Sequence, residues 1–179
     1  MRRSAIRRPK RILALGLTAI VAMVVSWGIA GGTAHAAAGN FNISPRATGW
    51  LQCLDIASNN PGTTVGLYYC NPNSTNTFLS QQWWWNYVSN DHALVESASS
   101  GYHQCWDVRS YAAGTLVGLN TCNPGLASQW WDHFNYTLIS VGSGRRMCLD
   151  LRSYAAGTPI GLNDCKDTPS QKFNIRGTS

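Results

Sequence analysis

The sequence predicts an all-β domain made of three pseudo-symmetric repeats, and three observations carry that prediction. Six cysteines form three pairs whose members lie 17 positions apart in every case. The residues after the leader are rich in Gly, Asn, Ser and Thr, which break short β-prone runs at regular intervals. No stretch places apolar residues at i, i+3, i+4 and i+7 for long enough to indicate an amphipathic helix.

Residues 1–36 have the three parts of a secretory signal. A basic segment with six of the 14 Lys and Arg residues precedes an apolar run from Ile12 to about Ile29, which ends in Ala34-His35-Ala36. We expect a secreted protein cleaved after Ala36, with cleavage after Ala38 as the second choice. The apolar run approaches the roughly 18–20 residues that span a bilayer, so an uncleaved membrane anchor is the alternative.

The positive charge of the chain is concentrated in this leader. The formal net charge is +6 and the isoelectric point is about 9.2. From residue 37 onward, however, 8 basic residues balance 8 acidic ones. A basic isoelectric point would otherwise favour a nucleic-acid or membrane partner. We expect neither partner for the cleaved protein.

The chain after the leader is long enough for one domain and too short for two cores. It has about 143 residues, which lies in the usual range for a single domain. All six cysteines lie in this part. We predict a short linker at 37–42 and one domain at 43–177, with repeats at about 43–87, 88–133 and 134–177.

Each repeat opens at one cysteine and reaches a second through a Gly-Thr turn. The openings are Cys53-Leu54-Asp55, Cys105-Trp106-Asp107 and Cys148-Leu149-Asp150, and the turns are Gly62-Thr63, Gly114-Thr115 and Gly157-Thr158. Six cysteines allow 15 connectivities, but equal spacing favours pairing within each repeat, as Cys53–Cys70, Cys105–Cys122 and Cys148–Cys165. Each bridge would contribute on the order of 3 kcal/mol. A zinc site is not indicated, because the chain has no C-x-x-C pair.

A glutamine followed two places later by an aromatic residue closes each repeat. The second and third closings are Gln129-Trp130-Trp131 and Gln171-Lys172-Phe173, and the first reads either Gln82-Trp83-Trp84 or Gln81-Gln82-Trp83. We prefer the Gln82 register, because Tyr87 then matches Phe134. The glutamine amide is expected to bond a buried backbone turn. The second aromatic residue is expected to fill the core, which selects Trp84, Trp131 and Phe173.

Taken in order, the Cys-x-Asp openings, Gly-Thr turns, second cysteines and Gln-x-aromatic closings resemble the ricin B-type, or QxW, β-trefoil lectin family. The resemblance covers about residues 43–177. It implies a β-trefoil, in which three hairpins cap a six-stranded barrel, with one potential sugar pocket in each repeat. It also implies a glycan or polysaccharide as partner. We predict no cofactor and no metal.

The resemblance implies which residues form each pocket. The aspartate of the opening would accept hydrogen bonds from sugar hydroxyls, and these residues are Asp55, Asp107 and Asp150. The closing glutamine would brace that carboxylate or touch the sugar, which selects Gln82, Gln129 and Gln171. The position before it, usually Asn in the family, is Gln81 in the first repeat. An aromatic platform two places before the second cysteine falls on Tyr68, but on Asn120 and Asn163 in the other repeats.

The second and third repeats carry a tyrosine elsewhere, in the loop after the aspartate. Tyr111 and Tyr154 can offer a ring face to a sugar, and packing over the hairpin is the alternative. Arg109 and Arg152 are expected to be solvated rather than paired with the aspartates. Glycine replaces a polar family side chain four places before each second cysteine, which would thin the pocket wall at Gly66, Gly118 and Gly161.

These residues favour a secreted lectin over an enzyme. The repeated aspartates belong to separate repeats, too far apart for an acid–base pair. Glu96 has no obvious carboxylate partner, and His92 and His133 have no recognisable nucleophile partner. No phosphate-binding or nucleophile-elbow motif is present. Two alternatives stay open, a secreted trefoil that binds a protein as an inhibitor or adhesion factor with degenerate sugar pockets, and a purely structural exported domain.

Overall fold

The computed structural model describes residues 40–71 and 78–177. In these ranges the chain forms twelve β-strands and six three-residue 3-10 helices. None of the helices found there is long or apolar enough to cross a membrane. The predicted signal at 1–36 and the first half of the predicted linker, residues 37–39, lie outside the described residues.

The strands recur in groups of four, one group for each repeat. They are β1 (Phe41–Pro45), β2 (Gln52–Ile56), β3 (Val65–Tyr69) and β4 (Trp83–Ser89); β5 (His92–Ser97), β6 (Gln104–Val108), β7 (Val117–Thr121) and β8 (Trp131–Phe134); and β9 (Thr137–Ser140), β10 (Met147–Leu151), β11 (Ile160–Asp164) and β12 (Phe173–Gly177). A 3-10 helix follows the first strand and another precedes the fourth strand of each group, at Arg46–Thr48, Leu79–Gln81, Ala98–Ser100, Ala127–Gln129, Val141–Ser143 and Pro169–Gln171. The threefold repeat is confirmed.

Six of the strands close a barrel. They form three antiparallel pairs, β4–β5, β8–β9 and β12–β1. Two junctions between pairs place Phe41 opposite Trp83 and Ala93 opposite Trp131. At the third, the Phe173 amide donates to the Tyr136 carbonyl at 2.7 Å. The other strands form three hairpins, β2–β3, β6–β7 and β10–β11, so the architecture is the predicted β-trefoil.

The barrel begins two residues earlier than predicted. Phe41 is buried in the core, and it lies opposite Gly177 in the pairing of β1 with β12. Asn42 lies opposite Arg176 in the same pair of strands. The end of the predicted linker at 37–42 is therefore wrong, because pairing with the last strand makes both residues part of the barrel.

Three aromatic side chains at equivalent positions fill the barrel, and they are Trp83, Trp131 and Phe173, all at 0% exposure. The indole nitrogens of the two tryptophans donate to backbone carbonyls of the hairpins, Trp83 to Leu54 at 3.2 Å and Trp131 to Trp106 at 3.4 Å. The prediction of Trp84 as the first core residue is wrong. Trp84 is partly exposed and packs edge-on against Tyr102 at 5.9 Å between ring centroids.

All three predicted disulfides form. Each joins the second residue of a hairpin's first strand to the residue that follows its second strand. The bridge therefore closes the open end of the hairpin, where strand pairing would otherwise fray. Because a small all-β domain has a thin core, three such crosslinks are a substantial part of its stability.

The hairpins are held to one another by backbone hydrogen bonds at their Gly-Thr turns. The Gly62 amide donates to the Leu119 carbonyl at 2.7 Å, and the Leu119 amide donates back to the Thr63 carbonyl at 2.8 Å. The same exchange joins the turn at Gly114-Thr115 to Leu162 and the turn at Gly157-Thr158 to Leu67. The turn glycines have φ of +85° to +88°, which favours glycine strongly. The three junctions form a closed ring.

The glycines at the second position of the strands β3, β7 and β11 lie where the turns of this ring approach. A Cβ atom at Gly161 would lie 2.9 Å from the Thr115 carbonyl oxygen, and one at Gly118 would lie 3.4 Å from that of Thr63. At Gly66 the corresponding distance to the Thr158 oxygen is 3.5 Å. These glycines therefore have a structural role besides the predicted thinning of a pocket wall, and Gly118 does line a groove. They leave room for the turn of another repeat to approach the strand backbone.

We predict that Gly161→Ala lowers the free energy of unfolding by about 1–3 kcal/mol, because its methyl group must displace a hydrogen-bonded turn. Gly66→Ala is the matched control, since its methyl group makes an ordinary contact and alanine costs less entropy on folding. Urea unfolding of the oxidised variants measures both values. Equal stability of the two variants would contradict the steric explanation.

Glu96 is the one buried carboxylic acid among the described residues, and it lies beside the disulfide of the second hairpin. Glu96 on β5 is 7% exposed and accepts a 2.7 Å hydrogen bond from the Asn86 side chain. Its carboxylate lies within 4.8 Å of both sulfurs of the Cys105–Cys122 disulfide. Burial raises the pKa of Glu96, while the Asn86 hydrogen bond and the charge of His103 oppose that rise. Its proton is therefore held more tightly in the folded state.

This raised pKa predicts the pH dependence of one variant. The contribution of Glu96 to stability is complete below its unfolded pKa and is lost as pH rises through its folded pKa. A glutamine side chain at this position resembles the protonated acid at every pH, so Glu96→Gln should gain stability relative to the natural protein as the pH rises from about 4 to about 8. Chemical unfolding across that range tests this, and parallel pH profiles for the two proteins would refute it.

Candidate functional site

Three aspartates occupy the same place on the three hairpins. Each is the fourth residue of its strand and lies opposite a strand glycine, in the pairs Asp55–Gly66, Asp107–Gly118 and Asp150–Gly161. All three are partly exposed, next to buried residues on either side. The alternation of the strand turns the neighbours into the core and the aspartate outward. The sequence predicted these positions, and the structure places each on its own hairpin.

In the second and third repeats, an asparagine two residues beyond the strand glycine holds the aspartate. Asn120 Nδ2 donates to Asp107 Oδ2 at 2.8 Å, and Asn163 Nδ2 donates to Asp150 Oδ2 at 2.8 Å. The other oxygen, Oδ1, of both aspartates is enclosed and has no hydrogen-bond partner. An enclosed carboxylate oxygen without a donor is costly to leave unpaired. Because Oδ1 is closed to solvent, the acceptor that remains for a ligand donor is Oδ2, which has a second lone pair beside the asparagine bond.

The first repeat is built differently. Asp55 Oδ1 accepts from the amide of Ile56 at 2.7 Å, and Oδ2 accepts from Gln81 Nε2 at 3.0 Å. Tyr68, 46% exposed, takes the place of the asparagine. Both oxygens of this aspartate have protein donors, and the first repeat differs from the others in offering an exposed ring face.

The closing glutamines clamp the chain around the second cysteine. The Oε1 atoms of Gln81, Gln129 and Gln171 accept from the amide after that cysteine at 3.1, 2.8 and 2.7 Å. Their Nε2 atoms donate to the carbonyl before it at 2.9, 3.0 and 2.8 Å. The predicted backbone role is confirmed, but only Gln81 also braces an aspartate.

The preferred register of the first closing motif is therefore wrong. Gln81 has the contacts of Gln129 and Gln171, whereas Gln82 accepts a 3.0 Å hydrogen bond from the Asn40 side chain. Gln81 also ends the Leu79–Gln81 helix, as Gln129 and Gln171 end theirs. Two adjacent glutamines before three tryptophans allow either alignment by sequence, and burial of Trp83 rather than Trp84 decides between them.

A groove of about 380 Å³ lies in front of Asp107 and runs between two repeats. The second repeat contributes Asp107, Arg109 and Asn120, and the turn of the first repeat contributes Pro61, Gly62 and Thr64. Sequence reasoning missed Pro61 and Thr64 as site residues. The Gly-Thr turn between them is the one sequence feature that marks their position. Their place in the groove depends on the hydrogen bonds between that turn and Leu119 of the next repeat.

The predicted arginines are exposed and reach toward the neighbouring turn. A Cβ atom at Gly62 would lie 3.7 Å from Arg109 Nη2, and Arg152 occupies the equivalent space beside Gly114. Neither guanidinium forms an ion pair with Asp107 or Asp150. The expectation that they are solvated is confirmed.

The predicted tyrosines, Tyr111 and Tyr154, differ in their exposure. Tyr111 is partly buried against the core, and its hydroxyl would overlap a Cβ atom at Gly142 of the third repeat. Burial raises the pKa of Tyr111 and of Tyr154, and the carboxylates of Asp107 and Asp150 raise these pKa values further. Both hydroxyls therefore remain protonated near neutral pH. Tyr111 is absent from the lining of the Asp107 groove, whereas Tyr154 is 37% exposed.

Two features bear on catalysis and metal binding. His92 Nδ1 lies 2.8 Å from Ser89 Oγ and 2.9 Å from Asp91 Oδ1, a serine contact that the sequence reading missed. Because both contacts use one nitrogen, this histidine cannot relay a proton from serine to aspartate.

In the described ranges, Glu96, Cys105 and Cys122 come close enough to share a metal ion. The two sulfurs are bonded to each other as a disulfide, so they are not thiolate ligands.

Comparisons with known proteins match this architecture. A family model described as "Ricin-type beta-trefoil lectin domain" matches residues 41–173. The designed threefold-symmetric protein ThreeFoil is 21% identical with a TM-score of 0.65, over 77% of this chain and 98% of that one. The earthworm R-type lectin C-half, solved in complex with GalNAc, is 20% identical with a TM-score of 0.62, over 77% and 98% of the two chains.

The agglutinin from Abrus precatorius is 20% identical with a TM-score of 0.63. The match covers 79% of this chain and 49% of the agglutinin chain. A search of curated protein sequences found no match. At these identities the solved structures show the shared fold.

The corrected register predicts unequal effects of two neighbouring substitutions. Gln81→Ala removes the partners of an amide and a carbonyl beside Cys70, and should lower the free energy of unfolding by about 2 kcal/mol or more. Gln82→Ala, the matched control, removes a bond to one side chain and should cost clearly less. Denaturant unfolding of the oxidised variants gives both values, and a larger loss for Gln82→Ala would restore the rejected register.

Proposed function

The chain belongs to the ricin-type β-trefoil lectin domain family, and on that premise we propose that it binds glycans or polysaccharide through its hairpin sites. The observation that carries the proposal is the groove in front of Asp107, where the partly exposed carboxylate lies beside Asn120 and faces the turn of the first repeat. Sugar hydroxyls are hydrogen-bond donors, and a carboxylate acceptor makes a stronger bond with them than a neutral one. The earthworm lectin half, a structural neighbour, was solved with a sugar bound.

The asparagines complete the polar part of these two sites. Asn120 and Asn163 each direct one amide hydrogen at the aspartate, which fixes the carboxylate in place. A carboxylate held by the protein need not be ordered when a ligand arrives, which lowers the entropic cost of binding. The groove wall from the preceding repeat then confines the sugar from the other side.

The first repeat would contribute through stacking. The exposed ring of Tyr68 lies on the strand beside Asp55, and its hydroxyl approaches the Gly157 turn of the third repeat. Aromatic rings with one polar end suit the mixed apolar and polar surface of a sugar. Up to three shallow sites of modest affinity would act together on a polymer, because linked sites raise overall avidity.

We also propose that the protein acts outside the cell. The leader at 1–36 has the sequence of a secretory signal. Three disulfides and no free cysteine in the described ranges suit an oxidising compartment.

A protein partner is the second candidate, and exposed apolar side chains on the first repeat favour it. Leu51 and Tyr69 are 73% and 72% exposed. Clusters of exposed apolar side chains are typical of protein-binding surfaces. The equivalent positions in the other repeats are polar, with His103 and Arg146 in place of the leucine and Thr121 and Asp164 in place of the tyrosine.

The proposal is tested with the purified, oxidised protein on a panel of glycans and insoluble polysaccharides. Asp107→Asn/Asp150→Asn should weaken binding at least about tenfold, because the charged acceptors are lost. Asp55→Asn is the matched control and should weaken it less, since the first repeat would contribute mainly through stacking on Tyr68.

Circular dichroism and thiol titration check that each variant is folded and oxidised. Full binding by Asp107→Asn/Asp150→Asn would move the site away from these aspartates. Failure of the natural protein to bind any carbohydrate would refute the lectin function and leave the protein-partner candidate.

A further inference from the structure

The second and third hairpin sites share a cation that the first lacks. Arg109 and Arg152 each follow their aspartate by two residues, at the position where the first repeat has Ala57. Both arginines are exposed, and neither forms a salt bridge or a side-chain hydrogen bond with the described residues. Within the described part of the chain, the donors of these guanidinium groups therefore face solvent rather than a carboxylate.

The position of each guanidinium is set by the ring of turns. Arg109 lies against the Gly62 turn of the first repeat and lines the same groove as Asp107 and Asn120. Arg152 lies against the Gly114 turn of the second repeat in the same way. A side chain on either turn glycine would meet the arginine, so the glycine that the turn requires also leaves space for the cation.

In each of these two sites, the aspartate and the arginine do not form an ion pair with each other. Asp107 Oδ2 accepts one protein hydrogen bond, from Asn120, and the Arg109 guanidinium forms no ion pair with the described residues. A ligand that satisfies both must offer a hydroxyl to the carboxylate and an anionic acceptor to the guanidinium. A sugar that carries a carboxylate meets both demands within one ring.

We propose, building on the function proposed above, that the second and third sites select sugars bearing a carboxylate, such as the uronic acids of acidic polysaccharides. The guanidinium matches a planar carboxylate with two parallel hydrogen bonds, a geometry that a lysine could not provide. The aspartate in the same groove repels densely charged groups and restricts the selection to singly charged sugars. The first site, with Ala57 and Tyr68, takes neutral sugars.

The attraction is local to the sites. Outside the leader the chain has 8 basic and 8 acidic residues, so no overall positive field draws in polyanions. Selection must then depend on the two arginines themselves, and substitutions elsewhere of the same charge should not reproduce their effect.

The test compares sodium polygalacturonate with its carboxyl-reduced, neutral form by calorimetric titration of the oxidised protein. We expect the charged polymer to bind more tightly, and Arg109→Ala/Arg152→Ala to lose about tenfold on it. The same variant should lose clearly less affinity for the neutral polymer, which offers the guanidinium no charged acceptor. Ala57→Arg, which copies the arginine into the first repeat, should strengthen binding to the charged polymer only.

Arg46→Ala/Arg176→Ala is the matched control. It removes the same charge from two exposed arginines that lie over the rings of Tyr136 and Trp50. An equal loss on polygalacturonate from this control would overturn the proposal, because general electrostatic attraction would then explain the binding. Arg109→Lys/Arg152→Lys should restore little, since lysine keeps the charge without the paired donors.

Further outcomes separate this proposal from the lectin function itself. Equal affinity for the charged and neutral polymers overturns the carboxylate selection and leaves carbohydrate binding intact. Tighter arginine-dependent binding to dextran sulfate than to polygalacturonate overturns the assignment of a carboxylate in favour of sulfate. Binding to neither polymer and to no other glycan overturns both proposals together.

Discussion

Two backbone hydrogen bonds at each of three Gly-Thr turns hold the cap of this molecule together. They join hairpins from different repeats, so no repeat forms its cap alone. Each turn needs a glycine with positive φ, and it approaches the receiving strand at a glycine, most closely at Gly161. The barrel core, the disulfides and the sites are arranged around this ring, because its closure sets the position of every hairpin.

The ring also explains where the sites lie. The aspartate comes from one repeat, while the opposite wall of the groove comes from the turn of the preceding one. The same contact places an arginine beside the turn glycine. A change at a junction therefore alters stability and the shape of a binding site at once, whereas a change at Gln129 or Gln171 acts on the backbone around a disulfide.

Features that depend on spacing within one repeat could be predicted from the sequence. These include the threefold repeat, the disulfide pairs and the outward position of the aspartates. Features that depend on contacts between elements could not. The register of Gln81 was ambiguous by one residue, and Asn120 meets Asp107 only through the pairing of β6 with β7. Phe41 entered the barrel through pairing with a strand more than a hundred residues away.

The cyclic order of the junctions makes the three repeats depend on one another. The first turn joins the second hairpin, the second joins the third, and the third returns to the first. One repeat on its own would have an unpaired turn and an unpaired strand, and half of a groove. Opening one junction would leave two hairpins with one neighbour each, so the cap should lose its order as a unit rather than one hairpin at a time.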